Sequence, residues 1–323
     1  FFMKTCKRTM AALIFVLGCT GLVAQNTAGT GFSVPAQIRV VTLKGPTGIG
    51  MLNQLESKTL RLSDGRIIPL AIEVAGTPDI MDARVAAKQA DFVTLPINQA
   101  ARLYNLGTGL KLGGVNIWGV LYVLSADQSV GSWASLKGRR IYSTGKGATP
   151  DIVFRELAAR NGLNPETDLI LDYSYGQVEI AQLMLAGKIE TACLPEPFVT
   201  RILIKKPTVK LSMDLQKEWA AKNAGGLIAQ GGIAVSGDFA ATYPEVTREF
   251  LAAYAASNLA ALNAPDAPQR VAALDLGIDA ESFKASLPRL NLQYRDATSS
   301  KPAVEAFLKA FLAFDPASIG NRI

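Results

Sequence analysis

The chain contains no histidine among its 323 residues. Without an imidazole there is no Ser-His-Asp or Cys-His nucleophile system and no histidine-containing zinc or iron site. Cysteine is almost as scarce, with only Cys6, Cys19 and Cys193. Cys6 lies in a segment that reads as a removable leader and Cys19 is a candidate for lipidation. Cys193 then stands alone, no intramolecular disulfide is expected in the mature chain, and the residue reads as a small buried hydrophobe in IETACLP. Charged residues make up only 19% against 49% apolar ones, the balance of a folded globular protein. Three of the six net positive charges are Lys4, Lys7 and Arg8; without them +3 remains, with no basic run. Nucleic acid is therefore not an expected partner.

Those three cations precede an unbroken apolar stretch of eight residues, Met10 to Leu17. It is far too short to span a bilayer and has the layout of a signal peptide. Two exits are open. Cleavage after Ala24 would put Leu22 where a small residue is wanted. Val16-Leu17-Gly18-Cys19 has the form of a bacterial lipobox, with Leu17 bulkier than usual, and would make Cys19 the lipidated N-terminus. A retained anchor is a third alternative. Residues 1–18 are thus taken as signal and 19–36 as tether, since QNTAGTGFSVP (25–35) is polar and turn-rich.

From residue 37 strand-like and helix-like segments alternate. Strands are expected at 37–43, 68–74, 90–96 and within 110–125, and helices at 77–88 and 98–105. The pattern restarts at 139, with strands at 139–143, 168–174 and 189–195 and helices at 149–161 and 177–187. Such alternation predicts an α/β fold of parallel β-α-β units with helices on both faces. The two passes share Thr-Pro-Asp (77–79 and 149–151) and a strand-terminal Leu-Pro (95–96 and 194–195). Either the unit is repeated, giving two similar lobes, or two β-α-β units merely look alike. Residues 225–240 return to a strand. The remainder reads as helices without new strands, including 238–263 and 299–314, the latter opening on Ser-Lys-Pro.

The stretch GKGATPD (145–151) is a strand-to-helix turn. It lacks the spacing of a Walker A loop, and Pro150 stands where a Rossmann fingerprint needs its third glycine. Thr149 suits an N-cap, Pro150 the first helical position and Asp151 the positive end of the helix dipole. Gly145 and Gly147 let backbone come close to a ligand. The turns Gly45–Gly50 and Gly76–Asp79 share this design, and with Leu95-Pro96-Ile97-Asn98 they lie at the carboxyl ends of strands, where open sheets bind ligands. Several helix N-termini facing one crevice favour an anionic or acceptor-rich ligand. Glu196, between Pro195 and Pro197, suits an amine or amidine-like N–H pair; the alternative is a solvated loop acid. Trp118 and Tyr175 are candidates for stacking on a planar ligand, or for core packing. Thr77 and Asn116 complete the set of candidate contacts.

The phrases SWASLKGRRIYSTGKGATPD, AGKIETACLPEPFVT and LYNLGTGLKLGGVNIWGVLYVLS resemble the solute-binding proteins of ABC importers, in the nitrate, sulfonate, taurine and thiamine-pyrimidine-precursor branch. The likeness runs over about residues 37–320. It implies the type II periplasmic-binding-protein fold: two lobes, each a mostly parallel sheet flanked by helices, closing on ligand through two crossing strands near 122–128 and 226–233. Residues 37–123 with 233–323 would form one lobe and 124–232 the other. The family's cleft contacts map to Pro46, Thr47 and Gly48, to Pro96 and Asn98, and to Thr144, Gly145 and Thr149; Glu196 falls where members that bind aminopyrimidines carry an acid. The resemblance implies delivery of a small anionic or heteroaromatic ligand to permease and ATPase subunits, without chemistry, cofactor or metal. The protein would be an exported monomer held to a membrane by a lipid on Cys19. The alternatives are an enzyme on the same fold, in pyrimidine or menaquinone precursor synthesis, or a sensor lipoprotein presenting its ligand to a receptor. The pyrimidine enzyme depends on a histidine, which this chain lacks.

Overall fold

The computed structural model describes residues 32–323 apart from Gly225 and Asp275. The expected signal, most of the tether and the lipidation site Cys19 lie outside the described residues. In chain order come β1 (Ile38–Leu43), α1 (Pro46–Ile49), α2 (Leu52–Ser57), β2 (Thr59–Arg61), β3 (Ile67–Ala75), α3 (Pro78–Ala86), β4 (Phe92–Pro96), α4 (Ile97–Asn105) and β5 (Leu110–Trp118). Next are β6 (Leu121–Ser125), β7 (Arg140–Tyr142), α5 (Thr149–Arg160), β8 (Ile170–Asp172), α6 (Gln177–Leu185), β9 (Thr191–Pro195), α7 (Phe198–Lys205), β10 (Lys210–Asp214) and α8 (Leu215–Lys222). The chain ends through β11 (Ala229–Ser236), α9 (Gly237–Thr242), α10 (Pro244–Asn263), α11 (Ala267–Ala273), α12 (Ala280–Ser286), β12 (Leu292–Asp296) and α13 (Ala297–Phe314).

The strands form two sheets, ordered β12-β5-β11-β4-β1-β3-β2 and β10-β6-β9-β7-β8. Parallel pairing joins β1 to β3 and β4, and β7 to β8 and β9. Every other pair is antiparallel, so the sheets are mixed rather than mostly parallel. The parallel strands are those linked by crossover helices; a chain that returns from the other sheet, as β11 does, enters beside its neighbours in the opposite sense. Strands β4, β6 and β9 are buried along their whole length, which is why they read as continuous apolar runs: helices cover both faces.

Several elements differ from the sequence reading, among them the unexpected strand β10, which pairs with β6. The segment 59–61 forms a hairpin strand with β3. Strand β12 adds a new edge beside β5, although only helices were expected there. The helix predicted over 238–263 is two, because Pro244 has no N–H to continue α9 and instead opens α10. Helix α13 begins before Ser299, since the Asp296 carboxylate accepts the Ser299 N–H at 2.9 Å and makes the cap.

One apolar cluster joins Val115 and Ile97 beside the first sheet to Val123, Ile141 and Cys193 of the second, and to Phe307 and Phe311 of α13. Trp219 on α8 packs against both phenylalanine rings, at centroid distances of 5.4 and 6.3 Å. The C-terminal helix therefore serves both sheets. The chain crosses between sheets at Gly119-Val120 and again between α8 and β11. These crossings touch: the Val120 N–H donates to Gln230 Oε1 at 3.0 Å. Among the described residues no helix is long and apolar enough to cross a membrane.

Candidate functional site

A cavity of about 460 Å³ lies between the two sheets, at the ends of β1, β3, β4, β7, β8, β9 and β11. Its walls include seven of the residues singled out in the sequence: Pro46, Thr47, Thr77, Pro96, Thr144, Gly145 and Tyr175. Tyr175 is 41% exposed, tilted against Tyr142 at 6.2 Å, and is the aromatic that offers a face. Across the cavity the Gln177 side-chain amide, at the start of α6, donates to the Lys44 carbonyl at the end of β1. The chain turns at Gly45 with φ +103°, and a Cβ there would stand 2.7 Å from that amide; glycine is required for both reasons.

The other seven candidates lie elsewhere. Asn98 joins Gly147 and Thr149: its Nδ2 donates to the Gly147 carbonyl at 2.8 Å, and Thr149 Oγ1 donates to its Oδ1 at 2.9 Å. Thr149 is consequently not the N-cap of α5. Ala148 takes that position and Pro150 sits one residue further in, with Asp151 accepting the Gly147 N–H at 2.7 Å. Gly147 has φ +76°, a left-handed turn that favours glycine; it does not line the cavity. Gly48 packs on the Leu43 carbonyl, 2.8 Å from where a Cβ would lie. Asn116 is buried and donates to Asn258 at 3.1 Å. Trp118 is buried too; its indole N–H donates to the Gln293 carbonyl at 2.8 Å and Arg295 lies over its ring at 4.6 Å. It does not stack in the cavity.

Glu196 fits neither of its expected roles. It is fully buried, and its oxygens accept from Thr200 N–H at 3.0 Å, Thr200 Oγ1 at 2.8 Å and Arg289 Nε at 2.7 Å. It ties α7 to the segment after α12.

The NMT1-like family model matches residues 97–276, more than half of the chain. The chain belongs to the NMT1-like family. No curated protein matches it by sequence. Among solved structures, an ABC transporter from Parabacteroides distasonis is 27% identical, with a TM-score of 0.69 over 90% of this chain and 96% of that one. The alkanesulfonate-binding protein SsuA from Xanthomonas axonopodis pv. citri, bound to MOPS, is 15% identical, with a TM-score of 0.69 over 88% of this chain and 98% of its own. The periplasmic nitrate-binding protein NrtA from Synechocystis is 11% identical, with a TM-score of 0.67 over 88% and 83%. The fold is that of the type II periplasmic binding proteins.

The cavity of this NMT1-like chain holds polar residues beyond the candidate contacts: Asp79 and Lys146, which lie in turns already singled out, and Lys44, Tyr173, Gln177, Glu179 and Gln230. Tyr173, Ser174 and Tyr175 follow β8 at its carboxyl end, so the strand-end rule applied to β1 and β7 also pointed there. The Tyr173 hydroxyl donates to Asp151. Burial, and then the neighbouring Asp151 charge, push the phenol well above its usual range. Burial likewise raises the Asp151 carboxyl, against the bonds from Tyr173 and Gly147 that favour its ionised form. The Cys193 thiol is buried and is pushed up to about 12 by desolvation, which leaves it a packing group.

Proposed function

We propose that this protein is an exported solute-binding protein that clamps a small molecule between its two sheets and passes it, chemically unchanged, to the permease and ATPase subunits of an ABC importer. The observation that carries this is the cavity itself. Both sheets wall it, and the Gln177 amide meets the Lys44 carbonyl across it. The ABC transporter from Parabacteroides and the sulfonate- and nitrate-binding proteins support the reading by fold. The absence of histidine and the raised thiol of Cys193 are consistent with holding rather than converting a ligand.

In this reading residues 37–119 with 229–323 and residues 120–228 act as two lobes; the bounds expected at 123 and 232 move to the crossings because β6 pairs in the second sheet and β11 in the first. Pro46, Thr47, Thr77, Pro96, Thr144, Gly145 and Tyr175 would touch the ligand, an anion or a heteroaromatic. The ligand is to be identified by native mass spectrometry of the protein purified from its own cells. On its return to ligand-free protein, the radius of gyration from small-angle scattering should fall, and the ligand should be recovered intact after denaturation. A radius unchanged at saturation, in both the wild type and Gln177→Ala, counts against closure; a converted product counts against a pure binding role.

A lipid on Cys19, anchoring the monomer at a membrane surface, completes the proposal, motivated by Lys4–Arg8, the apolar stretch and Val-Leu-Gly-Cys. Mass measurement of the native N-terminus should give a diacylated peptide starting at Cys19. An unmodified chain starting at Gln25 would refute the anchor and leave export intact.

A further inference from the structure

We infer that the contact of α7 and its flanking Glu196 with residues 277–289 is a latch, which sets how readily the two lobes part. Its use rests on the solute-binding reading above; its test does not. The contact joins one lobe to the other, and none of its residues lines the cavity. From the first lobe, Arg289 Nε donates to Glu196 Oε1 at 2.7 Å and its Nη2 to Thr200 Oγ1 at 2.6 Å. From the second, Lys205 Nζ donates to Asp279 Oδ2 at 2.6 Å and Arg201 Nη1 to the Gly277 carbonyl at 2.7 Å.

The chemistry of this seam separates a latch from a weld. The apolar side chains Phe198, Val199 and Ile202 of α7 pack within their own lobe, among Tyr122, Ile180 and Leu194. Towards residues 277–289 the same segment presents Glu196, Thr200, Arg201 and Lys205. Water can take the place of partners such as these when the seam opens, so parting them costs far less than exposing an apolar face. The contact of Trp219 with Phe307 and Phe311 is of the apolar kind. Glu196 gives the latch its hold. Its carboxylate is fully buried and its counter-ion comes from the opposite lobe, so loss of Arg289 alone leaves a buried charge unpaired until the seam admits water. The Asp279 pair with Lys205 is weaker, since both side chains are more than a third exposed.

The test needs no ligand. The protein is unfolded, desalted and refolded to free it of any bound molecule, then measured by small-angle scattering and fitted as a mixture of open and closed forms. Arg289→Met should raise the open-to-closed ratio by about tenfold or more, and Asp279→Asn by about two- to fivefold. Asparagine retains the cap of α12, where Asp279 accepts the Ser282 N–H at 2.9 Å, so this variant reports the lost charge. Should Arg289→Met fail to fold, Arg289→Met with Glu196→Gln removes both charges and should open in the same way. Arg248→Gln, which breaks an exposed pair with Glu245 on α10, should leave the radius of gyration unchanged. Folded Arg289 and Asp279 variants with the wild-type radius overturn the inference and leave the binding reading standing. An equal expansion in Arg248→Gln overturns it too, because the effect is then one of charge in general.

Discussion

Trp219→Ala should cost about 3–5 kcal/mol of stability, the usual range for truncating a fully buried aromatic. Trp219 is 2% exposed and touches Phe307 and Phe311 on α13, while α8 itself precedes the second crossing between sheets. Deleting the indole leaves a cavity where α13 meets the second sheet's helices. The rings on the far side cannot fill it, because Phe307 and Phe311 are held against each other at 4.4 Å. The loss should appear as a melting temperature lowered by roughly 6–10 °C and as a lower urea midpoint. A change of under about 1 kcal/mol would mean that α13 packs on the first sheet alone.

Gly232→Ala is expected to be almost as damaging, at about 3 kcal/mol, the upper end for overpacking. Gly232 pairs with Val115 on one side and Leu95 on the other. A Cβ on it would lie 2.2 Å from the Gly114 carbonyl oxygen and 3.0 Å from Ile97 Cδ1. The nearest obstacle is backbone, so relief requires β11 to move. Gln230 and Gly231 on the same strand line the cavity, and ligand affinity should fall by about tenfold or more with the stability. Urea unfolding and calorimetry on one preparation measure both. A variant that binds and unfolds like the wild type would show that β11 and β5 can part without disturbing the site.

The architecture was legible where strand and helix periods differ sharply. Buried β-branched runs and the glycine turns after β1, β3 and β7 announced the units, and the turns did lie at one cavity. The candidate cavity was legible in part: seven candidates stand on its wall, and several others miss it by one position. Ile117 lines the cavity while its neighbours Asn116 and Trp118 do not; Pro195 lines it while Glu196 does not. Side chains on a strand alternate between faces, so an error of one position sends a group to the opposite side. Strand β5 is buried along most of its length, and an alternation of polar and apolar residues was not there to indicate the inward face. The shared Thr-Pro-Asp shows the same limit. In α3 its threonine is the N-cap, in α5 it is the first helical residue, because Thr149 has Asn98 as a partner. Such a tertiary contact leaves no local trace. Hairpin strand β2 and edge strands β10 and β12 were missed because short strands with partly exposed residues have the composition of loops.

The Asn98 amide, bonded to Gly147 and Thr149, has a mechanical consequence when taken with the contact of Gln230 on Val120. Two points fixed in both bodies define a line. Any parting of the sheets that leaves both contacts whole is a rotation about that line, with a single angle as its coordinate. The bonds from Gln177 to the Lys44 carbonyl, from Arg289 to Glu196 and from Arg201 to the Gly277 carbonyl lie outside the pair and would have to open as the angle grows. In the proposed binding role, an incoming ligand would have that one angle to arrest, like a door already hung on its pins.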